Sequence, residues 1–356
     1  MKTLDRYIAW EVVKGSLMAV LVLLSLLSFF TFADELGDLG QGDYRLPQIF
    51  KYLGLTLPRA FYELMPSAAL VGSLVSLGAL ANNRELMAAQ AAGASRARII
   101  RAVLLGGLML SAISIAIGEF IAPPSERAAQ TLKSLAQKKQ VASRSKYGLW
   151  VRDGDIFINI REIQKQESLG DINIYEVTPD RRLADATRAA RAEYDGSQWK
   201  LKRIRVSRFL PDRVEAERKD MADWSSVLAP DLLNAFVIRP ESLSAWELKN
   251  YIDYLNENGQ KSLSVEQAFW GRIVNPAVTL VMLLVAVPFV LTIRREVGMG
   301  QRIVVGVVIG LGFYLFDRMF NHFGLIYEMN PIFGAAFPTL LALAGALIGL
   351  ARMGRG

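Results

Sequence analysis

Six stretches of mostly apolar residues divide the chain into membrane and non-membrane parts. A run of about 18 or more such residues is long enough to cross a bilayer as a helix. The chain has 356 residues, of which 52% are hydrophobic, which is more than an ordinary soluble protein of this length carries. The six spans that we predict are 17–32 (extendable back to residue 12), 60–81, 99–122, 273–293, 303–320 and 331–350.

The first span, 17–32, has the length of a signal-peptide core. However, an amphipathic lead-in with Glu11 and Lys14 precedes it, and no small-residue cleavage site comes before the acidic segment 34–38. We therefore predict an uncleaved anchor.

The basic residues of the short loops indicate the orientation, because such residues stay in the cytoplasm. They cluster before the first span, between the second and third, between the fourth and fifth, and after the last, whereas 321–330 contains no Lys or Arg. The clusters are Lys2 and Arg6; Arg84, Arg96, Arg98 and Arg101; Arg294, Arg295 and Arg302; Arg352 and Arg355. Both termini are therefore predicted to be cytoplasmic, and this pattern accounts for much of the net charge of +7.

The pattern changes in 124–265, which we predict to be a single domain outside the cytoplasm, between 1–123 and 266–356. Apolar and polar residues alternate around Asp-Gly turns in 150–160 and 187–206, and again in 171–177, which is typical of antiparallel hairpins in a sandwich or barrel. Helices are predicted over 125–140 and 242–258. The apolar residues of the second are Leu243, Trp246, Leu248, Tyr251 and Leu255.

Between the second and third spans, 83–93 reads as a short capped helix. Asn82 or Asn83 suits the N-cap, Glu85 suits the first turn, Gly93 suits the end, and Ser95 can cap the third span. A connection between spans needs only a few residues, so a helix here favours a docking role over a plain turn. The proposed docking residues are Arg84, Glu85, Ala88, Ala89 and Ala92, whose alanines form a smooth surface from which one carboxylate projects toward a partner arginine.

Charged residues also lie near the ends of two spans. Glu119 ends the third, and Asp317 and Arg318 end the fifth. Such residues either face a bundle interior or cavity, or snorkel and pair with one another. Gly306 and Gly310 have a spacing compatible with close helix packing.

Absences exclude several functions. The chain has no Cys and a single His, which argues against zinc sites, thiol nucleophiles and a Ser-His-Asp triad, and we predict no metal site. No G-x-x-x-x-G-K-[ST] occurs, so ATP is not bound through a P-loop. In the basic stretch 200–208, basic and apolar residues alternate as in a strand, which argues against nucleic-acid binding. Glu215 and Glu217 form a pair of carboxylates, but they lie in a polar segment with no sign of a cleft, which argues against a catalytic role.

The order and spacing of several motifs resemble the lipopolysaccharide export permeases, the LptF/LptG family, nearly from end to end. The motifs are Leu4-Asp-Arg-Tyr-Ile8, Gly40-Gln-Gly-Asp-Tyr44, Arg84-Glu-Leu-Met-Ala-Ala-Gln-Ala-Ala-Gly93, Gly118-Glu-Phe-Ile-Ala-Pro123, Tyr147-Gly-Leu-Trp150 and Met299-Gly-Gln-Arg-Ile303.

The resemblance implies a polytopic α-helical membrane protein with six transmembrane helices and an inserted periplasmic all-β, jellyroll-like domain. It implies a permease subunit of an ATP-binding cassette transporter in the bacterial inner membrane, which takes lipopolysaccharide from that membrane toward the outer one. The implied partners are a dimer of a cytoplasmic ATPase that binds ATP and Mg²⁺, a second related permease, and a single-span periplasmic bridge protein. The helix with Glu85 would be the coupling helix, and this chain would hold no cofactor and perform no catalysis.

One departure from the family concerns the phosphates of the substrate. Some members have lysines at the end of the first span, where this chain has the acidic segment 31–38. The candidate substrate residues are therefore Asp34, Glu35, Glu119, Arg127, Lys133 and Arg318, with Phe157 in the outer domain.

Two other functions stay open from the residues alone. A lipoprotein-releasing permease also combines spans with an outer domain, but resembles a four-span layout. A membrane enzyme or a sensor is the other alternative, although no convergent acid–base group and no cytoplasmic output domain are evident.

Overall fold

The computed structural model describes residues 2–137, 148–165, 168–178, 180, 182–196, 198–224, 240–292 and 299–354. These residues form two compact units. The bundle unit comprises Met1–Gly37, Leu53–Glu126 and Leu263–Gly356, and the sheet unit comprises Asp38–Tyr52 and Arg127–Ser262. The segment Asp38–Tyr52, which follows the first span in the sequence, thus belongs to the unit that contains the strands.

The helices of the described residues are, in chain order, α1 Lys2–Leu36, α2 Leu46–Asn82, α3 Glu85–Ala91, α4 Arg96–Ala116, α5 Ala122–Ala136, α6 Ala245–Glu257, α7 Leu263–Thr292, α8 Met299–Ile326 and α9 Pro331–Gly354. A π-helical turn, Ile117–Ile121, joins α4 directly to α5. In the part of the chain that the structure describes, six helices are long and apolar enough to cross a membrane, as the sequence predicted. The helix predicted over 125–140 continues from the third span as expected, although 138–140 lie outside the described residues.

The core of the bundle unit forms around α2. In its most apolar stretch, 72% of the residues are buried, against 17% in α1 and 11% in α8. Buried aliphatic side chains from α1, α2, α4 and α7 form one continuous cluster, with Val12, Met65, Leu74, Leu110 and Leu283 among them. Consequently α1 and α8 keep apolar faces that this unit leaves uncovered, and such faces must lie against lipid or another protein.

Glycines allow α1 and α2 to approach at backbone distance. A Cβ atom on Gly72 would lie 2.4 Å from the Ser16 Cα atom, and a Cβ on Gly15 would lie 2.6 Å from the Gly72 carbonyl oxygen. In membrane bundles small residues at such crossings permit close packing. Of the two glycines with the predicted small-residue spacing, Gly306 is close-packed, since a Cβ there would lie 2.9 Å from the Leu74 side chain, whereas at Gly310 the nearest atom would be 3.7 Å away.

Replacing Gly72 with leucine is expected to destabilise the bundle by about 3 kcal/mol or more, because the new side chain meets main-chain atoms that cannot move aside. The matched control is Gly345→Leu, since a Cβ at Gly345 has no atom within 4 Å. The midpoint of thermal unfolding, followed by tryptophan fluorescence in detergent, should fall only for Gly72→Leu. Equal midpoints for the two variants would contradict this account of the crossing.

The strands of the sheet unit are β1 Leu149–Asp153, β2 Ile156–Lys165, β3 Ser168–Val177, β4 Leu183–Tyr194, β5 Trp199–Phe209 and β6 Val214–Trp224. They form one antiparallel sheet in which each strand pairs with the next. The two predicted hairpins are confirmed. In the first, Trp150 of β1 lies opposite Asn159 of β2; in the second, Tyr194 of β4 lies opposite Trp199 of β5. The described strands thus follow a simple meander.

One face of this sheet is apolar and buried. Ile158, Ile160, Ile172, Ala189 and Ile204 lie on it, each at most 3% exposed. The strand β6 was not predicted, and Glu215 and Glu217, which were assigned to a polar segment, belong to it. The four consecutive charged residues 217–220 interrupt the alternation of apolar and polar residues by which strands are recognised.

The helix α6 begins with a capping box. The Ser244 hydroxyl accepts from the Glu247 N–H while the Glu247 carboxylate accepts from the Ser244 N–H, which satisfies two of the donors that a helix start leaves unpaired. Leu248 and Leu255 are buried as predicted, but Trp246 is 73% exposed. Its assignment to the apolar face was wrong, because two residues before Leu248 means about 200° around the helix.

Candidate functional site

The short helix α3 ends as predicted and begins differently. The N–H of Gly93 donates to the Gln90 carbonyl oxygen and that of Ala94 to the Ala89 carbonyl oxygen, both at 2.9 Å. Gly93 has φ 90°, so this is a Schellman motif. Ser95 caps α4 by accepting from the Arg98 N–H.

The prediction of Asn82 or Asn83 as the N-cap of α3 was wrong. Asn82 still belongs to α2, and the N-cap is Arg84, in the left-handed conformation with φ 61° and without a capping side chain. The cause is that α2 continues further than its apolar residues indicate, so only two residues remain for the turn.

The surface of α3 is mainly small and exposed. Arg84, Ala88 and Ala92 are exposed, Ala89 is half-buried, and Leu86 is buried beneath the helix. Met87 is 42% exposed and supplies a flexible apolar side chain beside the alanines. This helix therefore presents a nearly flat surface that a partner could approach to within contact of its backbone.

The carboxylate of Glu85 is already hydrogen-bonded within the chain. The Tyr7 hydroxyl donates to Glu85 Oε2 at 2.8 Å, and the Asn83 side chain donates to Oε1 at 3.4 Å. The residue is half-buried, so it does not project freely as the sequence suggested. A carboxylate has about four acceptor positions, however, and still has room for a guanidinium group from outside.

Next to this contact, α1 and α4 are joined through Asp5. Its Oδ1 atom accepts from Arg98 Nε at 2.7 Å and its Oδ2 atom from Arg101 Nη2 at 2.8 Å. The Asp5 residue is only 8% exposed, and buried carboxylates are stable when both oxygens are paired. The start of α1 is thus fixed to the helix that follows α3.

A third connection runs from α8 to the end of α2. The Arg302 guanidinium donates to Asn82 Oδ1 at 2.9 Å, although Arg302 is only 5% exposed. It lies against Gly78, where a Cβ atom would be 2.0 Å from Arg302 Nη1. Because Gly78 has no side chain, Arg302 has the space to reach Asn82, the last residue of α2.

At the other end of α4, the π-helical turn carries a second polar cluster. Arg272 Nη1 donates to Glu119 at 3.0 Å and to the Gly118 carbonyl oxygen at 2.8 Å. The Tyr62 ring packs against Gly118, whose Cβ would lie 2.4 Å from it. Glu119 thus pairs with α7 inside the bundle, and not with the other predicted charges.

Two of the remaining predicted substrate residues, Arg127 and Lys133, are engaged within the sheet unit. Arg127 pairs with Glu247, and Lys133 pairs with Asp38 at 2.9 Å. Lys133 Nζ also lies 5.9 Å and 5.3 Å from the ring centres of Tyr44 and Tyr52. Both cations therefore stabilise the sheet unit by joining α5 to other segments of it.

Asp34 is exposed and Glu35 is buried near the end of α1. Arg318 lies over the ring of Tyr314 at 5.4 Å, and Phe157 contacts Arg152 at the same distance. Arg127, Lys133, Glu119, Arg318 and Phe157 thus each make a local contact within their own unit.

Comparison with known proteins supplies the remaining observation. The model of the family "Lipopolysaccharide export system permease LptF/LptG" matches residues 6–352. The lipopolysaccharide export system permease protein LptG of Escherichia coli K12 is 33% identical over 339 residues, which cover 94% of each chain. LptG of Haemophilus influenzae is 33% identical over 341 residues, or 95% of each chain. The chain belongs to the LptF/LptG family. Both of these relatives are LptG proteins, so the chain is similar to LptG in particular.

The LptF/LptG motifs contain the residues that sequence reasoning missed. Asp5 and Tyr7 lie in the motif 4–8, and Arg302 lies in the motif 299–303. In the motif 40–44, Gly42 has φ 62°, and a Cβ there would lie 2.6 Å from the Ala136 carbonyl oxygen. The motifs therefore marked these residues in the sequence. Their roles could not be predicted, because the residues that they contact are distant in the sequence.

Proposed function

We propose that this chain is the permease of a lipopolysaccharide exporter whose coupling helix is α3, with both termini in the cytoplasm and 124–265 in the periplasm of an inner membrane. The charges support this orientation, because Arg6, Arg84, Arg98, Arg101 and Arg302 all lie at the same ends of their helices as α3. Arg294 and Arg295, which entered the same prediction, lie outside the described residues.

The observation that carries the proposal is the hydrogen bond between Tyr7 and Glu85. A helix that only linked two spans would need no contact with a third. Here α3 is exposed on one side and connected on the other to α1, so a force on its surface reaches a membrane span. The partner that exerts the force is a dimer of a cytoplasmic ATPase, which binds the ATP and Mg²⁺.

The connections lead to the spans best suited to move lipid. Tyr7 connects α3 to α1, and Arg302 connects the end of α2 to α8. These are the two spans with the least buried apolar stretches. Their free faces suit a cavity shared with a second related permease, in which the acyl chains of lipopolysaccharide are kept from water.

For the phosphorylated headgroup, the pairing of Arg127 and Lys133 inside the sheet unit makes them poor contacts. Glu119 is likewise engaged by Arg272. We assign the phosphates chiefly to cations of the partner permease, with Arg318 as the candidate from this chain. Beyond the membrane, we assign passage toward the single-span bridge protein to the sheet unit, with the half-buried Phe157 of β2 as the candidate contact for the lipid.

The Tyr7→Phe variant is expected to keep the ATPase bound while reducing lipopolysaccharide-linked ATP turnover about three- to tenfold, because α3 loses one hydrogen bond to α1. Tyr327→Phe, which alters an exposed tyrosine at the end of α8, serves as the control. The measurement is ATP hydrolysis by the reconstituted complex with and without lipopolysaccharide. Normal stimulation in Tyr7→Phe would show that motion reaches α1 by another route.

Site-specific photocrosslinking tests the whole proposal. A probe at position 85 should crosslink to the soluble ATPase, and a probe at position 157 should crosslink to lipopolysaccharide. A crosslink at 85 without one at 157 would retain a transporter and reject the cargo path along the sheet. The absence of both would reject the proposed function.

A further inference from the structure

A groove between α1 and α4 is the feature that the proposed function leaves unused. Its volume is about 870 Å³, within the range of sites for small amphipathic molecules. Among the residues lining it are Thr3, Arg6, Tyr7, Trp10, Leu105 and Met109. The groove opens beside the residues that hold α3, and it lies entirely within the bundle unit.

The lining changes from polar to apolar along α1. Thr3 and Arg6 line it at the start of the helix, whereas Trp10 lines it further along, together with Leu105 and Met109 of α4. Trp10, Leu105 and Met109 are 52%, 44% and 46% exposed. An aromatic side chain between a cation and aliphatic residues is the arrangement found where a protein meets the boundary between headgroups and acyl chains.

The charge at the polar end is positive. Asp5 also lines the groove, but both of its oxygens are occupied by Arg98 and Arg101, so the three together carry one surplus positive charge. Arg6 is exposed and has no ion-pair partner among the residues that the structure describes. A ligand that brings an anion to this end and hydrocarbon to the other would match both.

We propose that this groove binds an anionic glycerophospholipid of the cytoplasmic leaflet, with its phosphate on Arg6 and an acyl chain along Leu105 and Met109. The inference rests on the proposed function for its orientation. A phosphate accepts two parallel hydrogen bonds from a guanidinium group, and basic pockets between spans on the cytoplasmic side suit anionic headgroups. The transmembrane helix of a partner would cover the apolar part but leave Arg6 without an anion.

The bound lipid acts on the coupling helix through Tyr7. The Tyr7 ring lines the groove while its hydroxyl donates to Glu85. A lipid that packs against the ring restricts its movement and keeps the hydroxyl in place for Glu85. ATP turnover is therefore higher with an anionic lipid in the groove than with a neutral one.

The test uses the complete transporter, purified with its ATPase and reconstituted in nanodiscs of phosphatidylcholine with or without phosphatidylglycerol. Phosphatidylglycerol retained after exchange into detergent is measured by mass spectrometry for the wild type, Arg6→Gln, Arg6→Lys and Arg352→Gln. Arg352 is an exposed cation at the end of α9, so its variant controls for the loss of one charge. The expected result is about tenfold lower retention in Arg6→Gln, partial retention in Arg6→Lys and full retention in Arg352→Gln.

Equal retention in Arg6→Gln and the wild type would overturn the site, as would equal losses in Arg6→Gln and Arg352→Gln. A photoreactive residue at position 10 adds a second measurement: a crosslink to phospholipid supports the proposal, and a crosslink to a polypeptide assigns the groove to a partner helix instead. Copurification of the ATPase is scored in every sample. Loss of phospholipid with the ATPase still bound therefore separates the groove from the docking function.

Discussion

Glu85→Arg is expected to abolish copurification of the ATPase while the bundle still folds. The variant sets a cation against the arginine that we propose the ATPase presents, and like charges placed together at an interface cost several kcal/mol. A loss of about 3 kcal/mol weakens binding roughly 100-fold, enough to dissociate the complex during purification. The measurement is the amount of ATPase recovered with the tagged permease.

A second variant separates the two roles of this side chain. Glu85→Gln keeps an acceptor for the Tyr7 hydroxyl but removes the charge. If charge attraction carries docking, Gln weakens recovery of the ATPase and Arg eliminates it. Wild-type recovery with Glu85→Arg would reject α3 as the docking helix.

Excision of the sheet, residues 148–224, with a Gly-Ser linker in its place, is expected to leave the permease assembled with its ATPase but to reduce lipid delivery to background. The excision retains α5 and α6 together with the pair between Arg127 and Glu247. It removes the whole apolar face that contains Ile158 and Ile172. Without the sheet, acyl chains leaving the membrane lose the apolar contacts that we assign to it, Phe157 among them.

Crosslinking of lipopolysaccharide to the bridge protein is the readout for the excision. A milder control replaces Arg218, an exposed residue of β6, and should leave delivery unchanged. Delivery by the excised protein at the wild-type rate would mean that lipid bypasses the sheet.

Local rules in the sequence were sufficient for some features of the site. The end of α3 at Gly93 and the cap of α4 at Ser95 depend on residues within one helical turn. Such contacts depend on residue type and short spacing, which the sequence displays directly. The hairpins were predicted for the same reason, since their turns and alternation are local.

The rest depended on contacts between distant parts of the chain. Tyr7 and Glu85 are 78 residues apart, and Asn82 and Arg302 are 220 apart. Asn82 was wrongly predicted as a possible N-cap of α3, and the sequence does not show that its side chain accepts from Arg302 instead. Lys133 was assigned to the substrate because nothing near it in the sequence shows that Asp38 is its partner.

The left-handed backbone at Arg84 implies a conflict between the stability of this protein and its activity. A residue with a Cβ atom is destabilised by about 1 kcal/mol or more in this conformation, and glycine is not. Selection for stability alone would therefore favour glycine at this position. We expect the exposed Arg84 side chain to contribute to docking of the ATPase in return for this strain. Engineering a more stable version of this transporter should accordingly leave Arg84 unchanged, even though Arg84→Gly would relieve the backbone strain.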